Sequence, residues 1–421
     1  MARVWRRGEL ITSERLTSLE RRAQPGSVSV MDHGAVGDGL ADDTAAFEEA
    51  IRSAGVGGAV WVPAGTYLLS RPLTLPYGSV LHGDATYVSS DHANGATLDF
   101  SACRQSGVTL IRSDGEVRGL RVVSDSIGFD IDRTRPGTDA RGDWCRSTVL
   151  RPDVNGVSAR GVRDCLISGM SGTGVAVAQY QTCTGCQIQS CGLGASMGAD
   201  SMLTRSRIYT CVDAVNVTWN DLVSDVRIDE IAHDAILVTG NNSNLCNISA
   251  DFIGEAIIHV RAGACHAVNV QGVRCAVNHW RTDTTAGREG AAVVIDTATW
   301  NASRIELTGV GGDATYLDED ETPRRFCWPH AIEYRHTGSG SPMFGPVDLT
   351  ILSDSWWRPT PADGPLPADH VPSMDDLARI LTVSDTVPAG TPIPLWIHTS
   401  RCTWDGHRLT ASLEAAAIRT I

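Results

Sequence analysis

The sequence predicts an all-β protein built on a right-handed parallel β-helix (a solenoid), with a short N-terminal helix and a small β-rich C-terminal module. Two observations carry the prediction. Apolar markers recur with a period near 20 between Cys165 and His279. Ile167, Ile188, Ile208, Ile228, Ile248 and Val268 stand 21, 20, 20, 20 and 20 residues apart. A second row, Val175, Ala195, Ala214, Ala235, Ala256 and Ala276, follows at steps of 20, 19, 21, 21 and 20. Around each marker apolar and polar residues alternate, as in Val226-Arg-Ile-Asp and Leu245-Cys-Asn-Ile-Ser. Alternation with Val and Ile enrichment specifies short strands. Helical repeats have longer periods and 3.6-periodic segments, which are missing from this stretch. Short strands repeating at this period bury their apolar faces on neighbouring coils.

Composition agrees with a solenoid. A chain of 421 residues would ordinarily split into several domains, but a solenoid core grows in one dimension and needs no such split. Aromatic content is only 6% and glycine reaches 42 residues, which suits turn-rich coils with small inward side chains. The formal charge of −14 argues against a broad nucleic-acid-binding surface. All 35 basic residues are arginine, a bias of GC-rich coding rather than of structure.

The 12 cysteines are spread along the chain and do not form a compact disulfide framework. Cys165, Cys186 and Cys246 each precede a ladder isoleucine by two positions, so they are expected as small stacked core residues. Cys183 and Cys186 form a lone C-x-x-C with no second pair at zinc spacing, and buried free thiols are the favoured reading. No metal and no cofactor is predicted. No apolar run reaches membrane-spanning length, and Met1-Ala-Arg-Val-Trp-Arg-Arg lacks the apolar centre of a signal peptide. The expectation is a chain made in the cytoplasm and not exported by the usual secretory route, with no membrane partner.

In chain order, residues 1–26 form a separate piece. Thr12 can cap a short helix from about Ser13 to Arg22, with Leu16 and Leu19 on one face. So short a helix needs copies of itself or another surface. The run Trp5-Arg-Arg-Gly-Glu-Leu-Ile-Thr-Ser-Glu-Arg-Leu-Thr-Ser-Leu-Glu resembles an N-terminal segment of many tail fibre and baseplate proteins of phages of Gram-positive hosts. It matches at Trp5, Gly8, Glu9, Ile11, Thr12, Glu14, Leu16, Leu19 and Glu20, and departs at Ser13 and Thr17. The resemblance covers about 20 residues. It implies a virion component that joins other tail or baseplate proteins through residues 1–26 and assembles as a homotrimer.

Residues 27–352 are assigned to the β-helix, with 27–83 as its capping segment. Val28-Ser-Val-Met-Asp-His-Gly-Ala-Val-Gly-Asp-Gly-Leu-Ala-Asp-Asp-Thr-Ala-Ala-Phe, followed by Val60-Trp-Val-Pro-Ala-Gly-Thr-Tyr-Leu-Leu, resembles the opening of the pectate-lyase-like β-helix superfamily. That superfamily includes many phage tailspikes and polysaccharide-degrading enzymes. The residues support the same element: Asp42 or Asp43 caps a helix of about Thr44 to Ala54, Phe47, Ala50 and Ile51 share a face, and Gly55, Gly57 and Gly58 end it. Such a helix can cover the open end of a solenoid. For Asp38, Asp42 and Asp43, capping and turn hydrogen bonds are favoured over a metal site.

Between Val80 and Arg163 the strands are less regular, and the loop from Arg133 to Trp144 is long enough to shape a surface groove. Gly311 to Pro329 is expected to leave the stack. Near Ser353 the composition shifts to Trp356-Trp357 and a proline-rich run. Residues 353–421 are therefore read as a linker and a terminal module for trimerisation or binding.

The repeat places Asp213, Asp234 and Glu255 just before the alanine markers. Neighbouring coils lie ~4.8 Å apart, so adjacent members are expected roughly 5 Å apart and the outer two roughly 10 Å. These separations span those of retaining (about 5–5.5 Å) and inverting (about 6.5–9.5 Å) glycosidase pairs. Stacked like charges raise at least one pKa and so supply a general acid. Asp229 joins these as a catalytic candidate, and Glu230, His233, Trp219 and Trp280 are candidates for substrate binding. The competing reading is structural, because an Asp before a β-helix strand commonly bonds the N–H groups of its turn.

Taken with the two resemblances, the sequence points to a phage tailspike-like protein that recognises host cell-surface polysaccharide. Cleavage by hydrolysis or elimination stays open. A non-enzymatic adhesin, a purely architectural tail component and a bacterial polysaccharide lyase or hydrolase stand as alternatives.

Overall fold

In a computed structural model the described residues are 26–83, 95–131, 145–240 and 242–261. Beyond these, strands and short stretches between 267 and 399 are described. The N-terminal helix predicted within residues 1–26 and the whole Arg133–Trp144 loop lie outside the described residues.

The strands alternate as the sequence predicts, and each coil lays them on three parallel sheets, so the molecule is a right-handed parallel β-helix. Sheet I starts with Ser27–Ser29, Ala59–Val62 and Val80–Gly83, and continues through Met202–Thr204 and the start of Leu222–Ile231. Sheet II carries Leu166–Ser168, Gln187–Gln189 and Arg207–Cys211. Sheet III carries Leu193–Met197, Asp213–Val217, Ile236–Val238 and Ile258–Arg261. The core is a continuous apolar column that runs from Val30 and Phe47 to Tyr334 and Val387.

From Asp164 to Asn247, and at Gly119, what turns the chain at each corner is a residue in the left-handed region, with φ between 48° and 82°. Gly119, Asp164, Gly185, Arg205, Asp225 and Asn247 stand between sheets I and II, and Gly169, Ser190, Thr210 and Glu230 between II and III. Tyr180, Asp200, Asn220 and Asn242 stand between III and I. A non-glycine residue there costs about 1–2 kcal/mol. Side-chain bonds along the columns offset part of that: Asn220 donates to Asp200 (2.9 Å) and Thr210 to Glu230 (2.9 Å).

The marker ladder holds over its first part and then shifts. Ile167, Ile188, Ile208 and Ile228 stack in register. Ile228, however, pairs with Ala250, and Ile248 with Val226, so the next coil is 22 residues long and not 20. In the second row Val175 stacks on Ala195, which then pairs with Val215 and not with Ala214. Two successive residues are buried at each of these strand starts, so Ala214, Ala235 and Ala256 are all fully inside, as are Val215, Ile236 and Ile257. The same two-residue shift moves Cys246 into the column of Ser224 at the surface, half-buried and not in the core as predicted. Cys165, Cys183 and Cys186 are buried free thiols.

The helix forms where predicted, Thr44–Ala54, and covers the first coil with Phe47, Ala50 and Ile51. The three aspartates work as turn acceptors. Asp42 takes the Thr44 N–H, Asp43 takes those of Val36 and Gly37, and Asp38 takes those of Leu40 and Ala41. After Gly312 an antiparallel pair, Thr315–Leu317 with Pro323–Arg325, leaves the stack. Leu381–Val383 pairs with His330–Arg335 and Leu395–Thr399 with Val347–Ile351. The described strands of the segment predicted as a separate terminal module therefore continue sheets III and I.

Candidate polysaccharide groove at one edge of the solenoid

Between Val123 and Val154 the chain leaves the stack as an antiparallel hairpin, Ile127–Ile131 with Cys145–Val149. Its base is clamped. The buried Ser126 donates to the Gly169 carbonyl (2.7 Å), and Arg151 pairs with Asp125. Its far end reaches several coils along: Cys145 is buried against Ala232, with Phe129 and Ile131 packed on them. Ala232 sits at the junction of sheets II and III, so the hairpin forms a wall along that edge.

Beside the wall, sheet III offers a floor of modest side chains. Ser158, Ala176, Ser196 and Asn216 stack outward in register, followed by Leu237 and His259. At the edge itself stand four of the eight predicted site residues. Asp213 Oδ1 accepts the Asp234 N–H (3.2 Å) and faces His233 Nδ1 at 3.8 Å. In the next coil Asp234 Oδ1 accepts the Ala256 N–H (3.1 Å), while its Oδ2 meets His259 Nδ1 at 2.7 Å. The edge thus repeats an Asp–His pair. The Glu255 N–H donates to the His233 carbonyl (2.9 Å), which sets Glu255 beside His233 and not directly above Asp234.

The pairs differ in access. The Asp234 side chain is 11% exposed with both oxygens engaged, whereas Asp213 and His233 are 36% and 38% exposed. Asp213 beside the ring raises the His233 pKa above its ordinary value against the opposing effect of burial, and Glu255 and Asp234 add to the rise. Arg335, bonded to Glu333 at 2.5 and 2.8 Å, is held more firmly charged by that carboxylate, with further contributions from Glu255 and Asp234. One acidic neighbourhood therefore gathers Asp213, His233, Asp234, Glu255, His259 and Arg335. Among the described residues no group of side chains is arranged to hold a metal ion.

The other predicted residues fall elsewhere. Asp229 projects from the outer face of sheet II between Arg207 (3.8 Å) and Arg227 (3.7 Å), an ion-paired position. Glu230 is the left-handed corner residue that accepts from Thr210. Trp219, 52% exposed, stands at the III–I corner. A strand's length, about 20 Å at 3.3 Å per residue, separates it from Asp213. Trp280 lies outside the described residues.

Sequence reasoning passed over the face of sheet II next to the wall. There Gln187 donates to the Tyr209 hydroxyl and to Gln189 (3.2 Å), and the Arg207 guanidinium sits 4.9 Å from the centre of the Tyr209 ring. The signal was present in Gln187-Ile-Gln and Arg207-Ile-Tyr, where polar residues flank a buried isoleucine.

Residues 27–149 match the family model for rhamnogalacturonase A/epimerase, pectate lyase-like. The chain is also similar, over 56 residues at 52% identity, to the pre-neck appendage protein of Bacillus phage phi29. That match covers 13% of this chain and 6% of the relative. The pre-neck appendage protein of Bacillus phage B103 is 34% identical over 113 residues, 21% of this chain and 13% of the relative. This chain therefore spans only a small part of the length of the curated relatives it matches.

Among solved structures, tailspike protein 2 of bacteriophage CBA120 (its enzymatically active domain) superposes with a TM-score of 0.53 at 13% identity. The superposition covers 78% of this chain and 48% of that one. The A-module of the Azotobacter vinelandii mannuronan C-5 epimerase AlgE6 gives 0.50 at 17% identity, covering 77% and 93%. At such identities these likenesses bear on the fold.

Proposed function

We propose that this chain is a phage tail-appendage protein that binds a host cell-surface polysaccharide in the groove between the hairpin wall and the Asp–His edge. The observation that carries the reading is the hairpin itself. It stands along the solenoid edge, beside a neighbourhood of the described residues where the half-buried Asp213, His233 and Glu255 converge. The matched segments of phage pre-neck appendage proteins and the shared fold of a tailspike domain support a place on the virion. Residues 1–26 would join other tail proteins, and three copies would make the working unit.

Bond cleavage is a second branch of the same reading, supported by the Asp213–His233 pair with Glu255 alongside. A histidine whose proton affinity is raised by a carboxylate can hold a proton for a departing glycosidic oxygen. Asp234, with both oxygens committed, would position His259 and would not itself exchange protons with substrate. A non-catalytic receptor-binding protein is favoured by one opposing fact: Asp213 and Asp234 each also accept a backbone N–H of the next coil.

The deciding experiment incubates the purified full chain with a panel of bacterial capsular and wall polysaccharides and follows binding, new reducing ends and unsaturated products. Chain shortening that drops at least a hundredfold in His233→Gln and Glu255→Gln, with folding retained, identifies a depolymerase. Binding without shortening leaves a receptor-binding protein. No binding to any member of the panel overturns the reading.

A further inference from the structure

The III–I edge, on the far side of sheet III from the hairpin, carries the exposed aromatic side chains of the described residues. Tyr77 is 60% exposed, Tyr180 71% and Trp219 52%. The strands that follow them on sheet I place all three on one line. From Val80 the pairing runs through Glu116 and Gly161 to Thr182, and then through Met202 to Leu222. Tyr77 and Tyr180 are thus three coils apart, about 14 Å, and Tyr180 and Trp219 two coils, about 10 Å, at ~4.8 Å per coil.

At the first of these aromatics the surface opens into a cleft of about 380 Å³, lined by Tyr77, Asp114, Glu116, Arg160, Arg163 and Gln181. Arg160 sits 4.9 Å from the centre of the Tyr77 ring and fixes its orientation, and Arg163 pairs with Glu116 at 2.9 Å. Planar polar groups that can bond hydroxyls through two atoms thus surround an aromatic plate.

We infer that this edge is a second polysaccharide-binding track, with one glycan chain lying along the solenoid axis across Tyr77, Tyr180 and Trp219 and its end residue seated in the cleft. The inference rests on the reading of the ligand as a polysaccharide but concerns a different surface. Sugars present apolar C–H faces ringed by hydroxyls, and single aromatic plates between short polar groups match that alternation. Asp200 and Asn220, themselves hydrogen bonded at 2.9 Å, occupy the corners between Tyr180 and Trp219 and offer such groups. A stable contact with a second copy of the chain would need a contiguous apolar centre, whereas here the aromatics stand two or three coils apart, with charged and amide side chains as well as the exposed Val56 and Met202 around them. Balanced charges in the cleft, two carboxylates and two guanidiniums, suit a neutral or zwitterionic sugar more than a polyanion. Trp219 is held for this task from beneath. The buried Asp221 accepts the Thr218 N–H (2.6 Å) and hydroxyl (3.1 Å), and the Ser201 N–H and hydroxyl (both 3.0 Å).

The test compares the full chain with Tyr77→Ala, Tyr180→Ala and Trp219→Ala variants on the same panel of bacterial polysaccharides, using surface-immobilised long chains and short fragments of each. Exposed side chains change, so the variants are expected to fold. Each single variant should weaken binding of long chains about tenfold, in line with loss of an aromatic anchor, while groove variants such as His233→Gln leave that component in place. Trp219 fluorescence should change when long chains are added. Unchanged binding in all three variants, with the groove variants alone losing it, overturns the track and leaves the groove reading intact. Absence of binding by the unaltered chain overturns both. A fall in assembly state by sedimentation, with glycan binding unaltered, shows that the edge is a subunit contact and likewise overturns the track.

Discussion

The two edges of sheet III are made from the same backbone and do opposite things with it. At the II–III edge the strands begin, and side chains there reach back to the N–H groups of the next coil. Carboxylates gather as a result, and Asp213 and Asp234 each find a histidine. At the III–I edge the strands end, and the corner residues Tyr180, Asp200 and Asn220 point away from the stack. Asn220 and Asp200 bond each other across one coil there, and bulk and aromaticity are tolerated because the side chains leave the stack. The II–III edge thus pairs carboxylates with histidines, whereas the III–I edge sets single aromatics among charged and amide side chains. Chemistry would be sought at the edge where strands start, and passive adhesion where they finish.

Four perturbations would break or sharpen that contrast. The largest effect is expected from Gly169→Val at the root of the hairpin. A Cβ there would lie 1.7 Å from the Ser124 carbonyl oxygen, and φ is +82°. Loss of at least about 4 kcal/mol, seen as a lower urea midpoint, should accompany detachment of the wall. An unchanged midpoint would mean that the edge does not depend on the hairpin base.

Asp221→Ala should cost about 2–4 kcal/mol, because four donors converge on this carboxylate while burial pushes its pKa up. The damage should be local to the III–I edge. Hydrogen exchange of residues 218–221 would speed up, and that of the Asp–His edge would not.

The third effect is pH-dependent. The His233 pKa is raised in the folded protein, so its contribution is full below the unfolded value of about 6.5 and fades as pH rises through the folded value. With the side chain 38% exposed, screening keeps it below about 1 kcal/mol. Melting curves of the unaltered chain and Asp213→Asn should differ most at mildly acid pH and converge above neutrality. A constant gap would count against the pair.

The smallest effect is at a corner. Asn242→Gly relieves a left-handed non-glycine residue at φ 57° and should shift stability by no more than about 1 kcal/mol either way. A large loss there would show that the III–I corner has a tertiary role beyond turning the chain.

Much of this organisation was legible in the residues. The period of the isoleucines gave the solenoid, because a buried ladder must repeat at the coil length. Asp and Asn at 200, 220 and 225 fit corners because these side chains tolerate left-handed backbone. Local reading failed where the outcome depended on a distant contact. Gly128-Phe-Asp-Ile-Asp reads as a strand, but nothing in it says that Phe129 and Ile131 land on Ala232. The 22-residue coil after Ile228 was hidden by an equally apolar Ile248 one pleat early. Trp219 stands six positions after Asp213, a short step in sequence that an extended strand turns into the width of a sheet.

The corner columns have an evolutionary corollary. From Asp164 to Asn247 each corner closes with a single left-handed residue, and chain can be spliced in between strands without changing the pairing of the sheets on either side. The hairpin, the lengthened coil after Ile228 and the excursion after Gly312 all enter between strands of the stack. Loops can therefore be exchanged at the corners while the stack beneath remains untouched, much as a rack accepts different tools in the same slots.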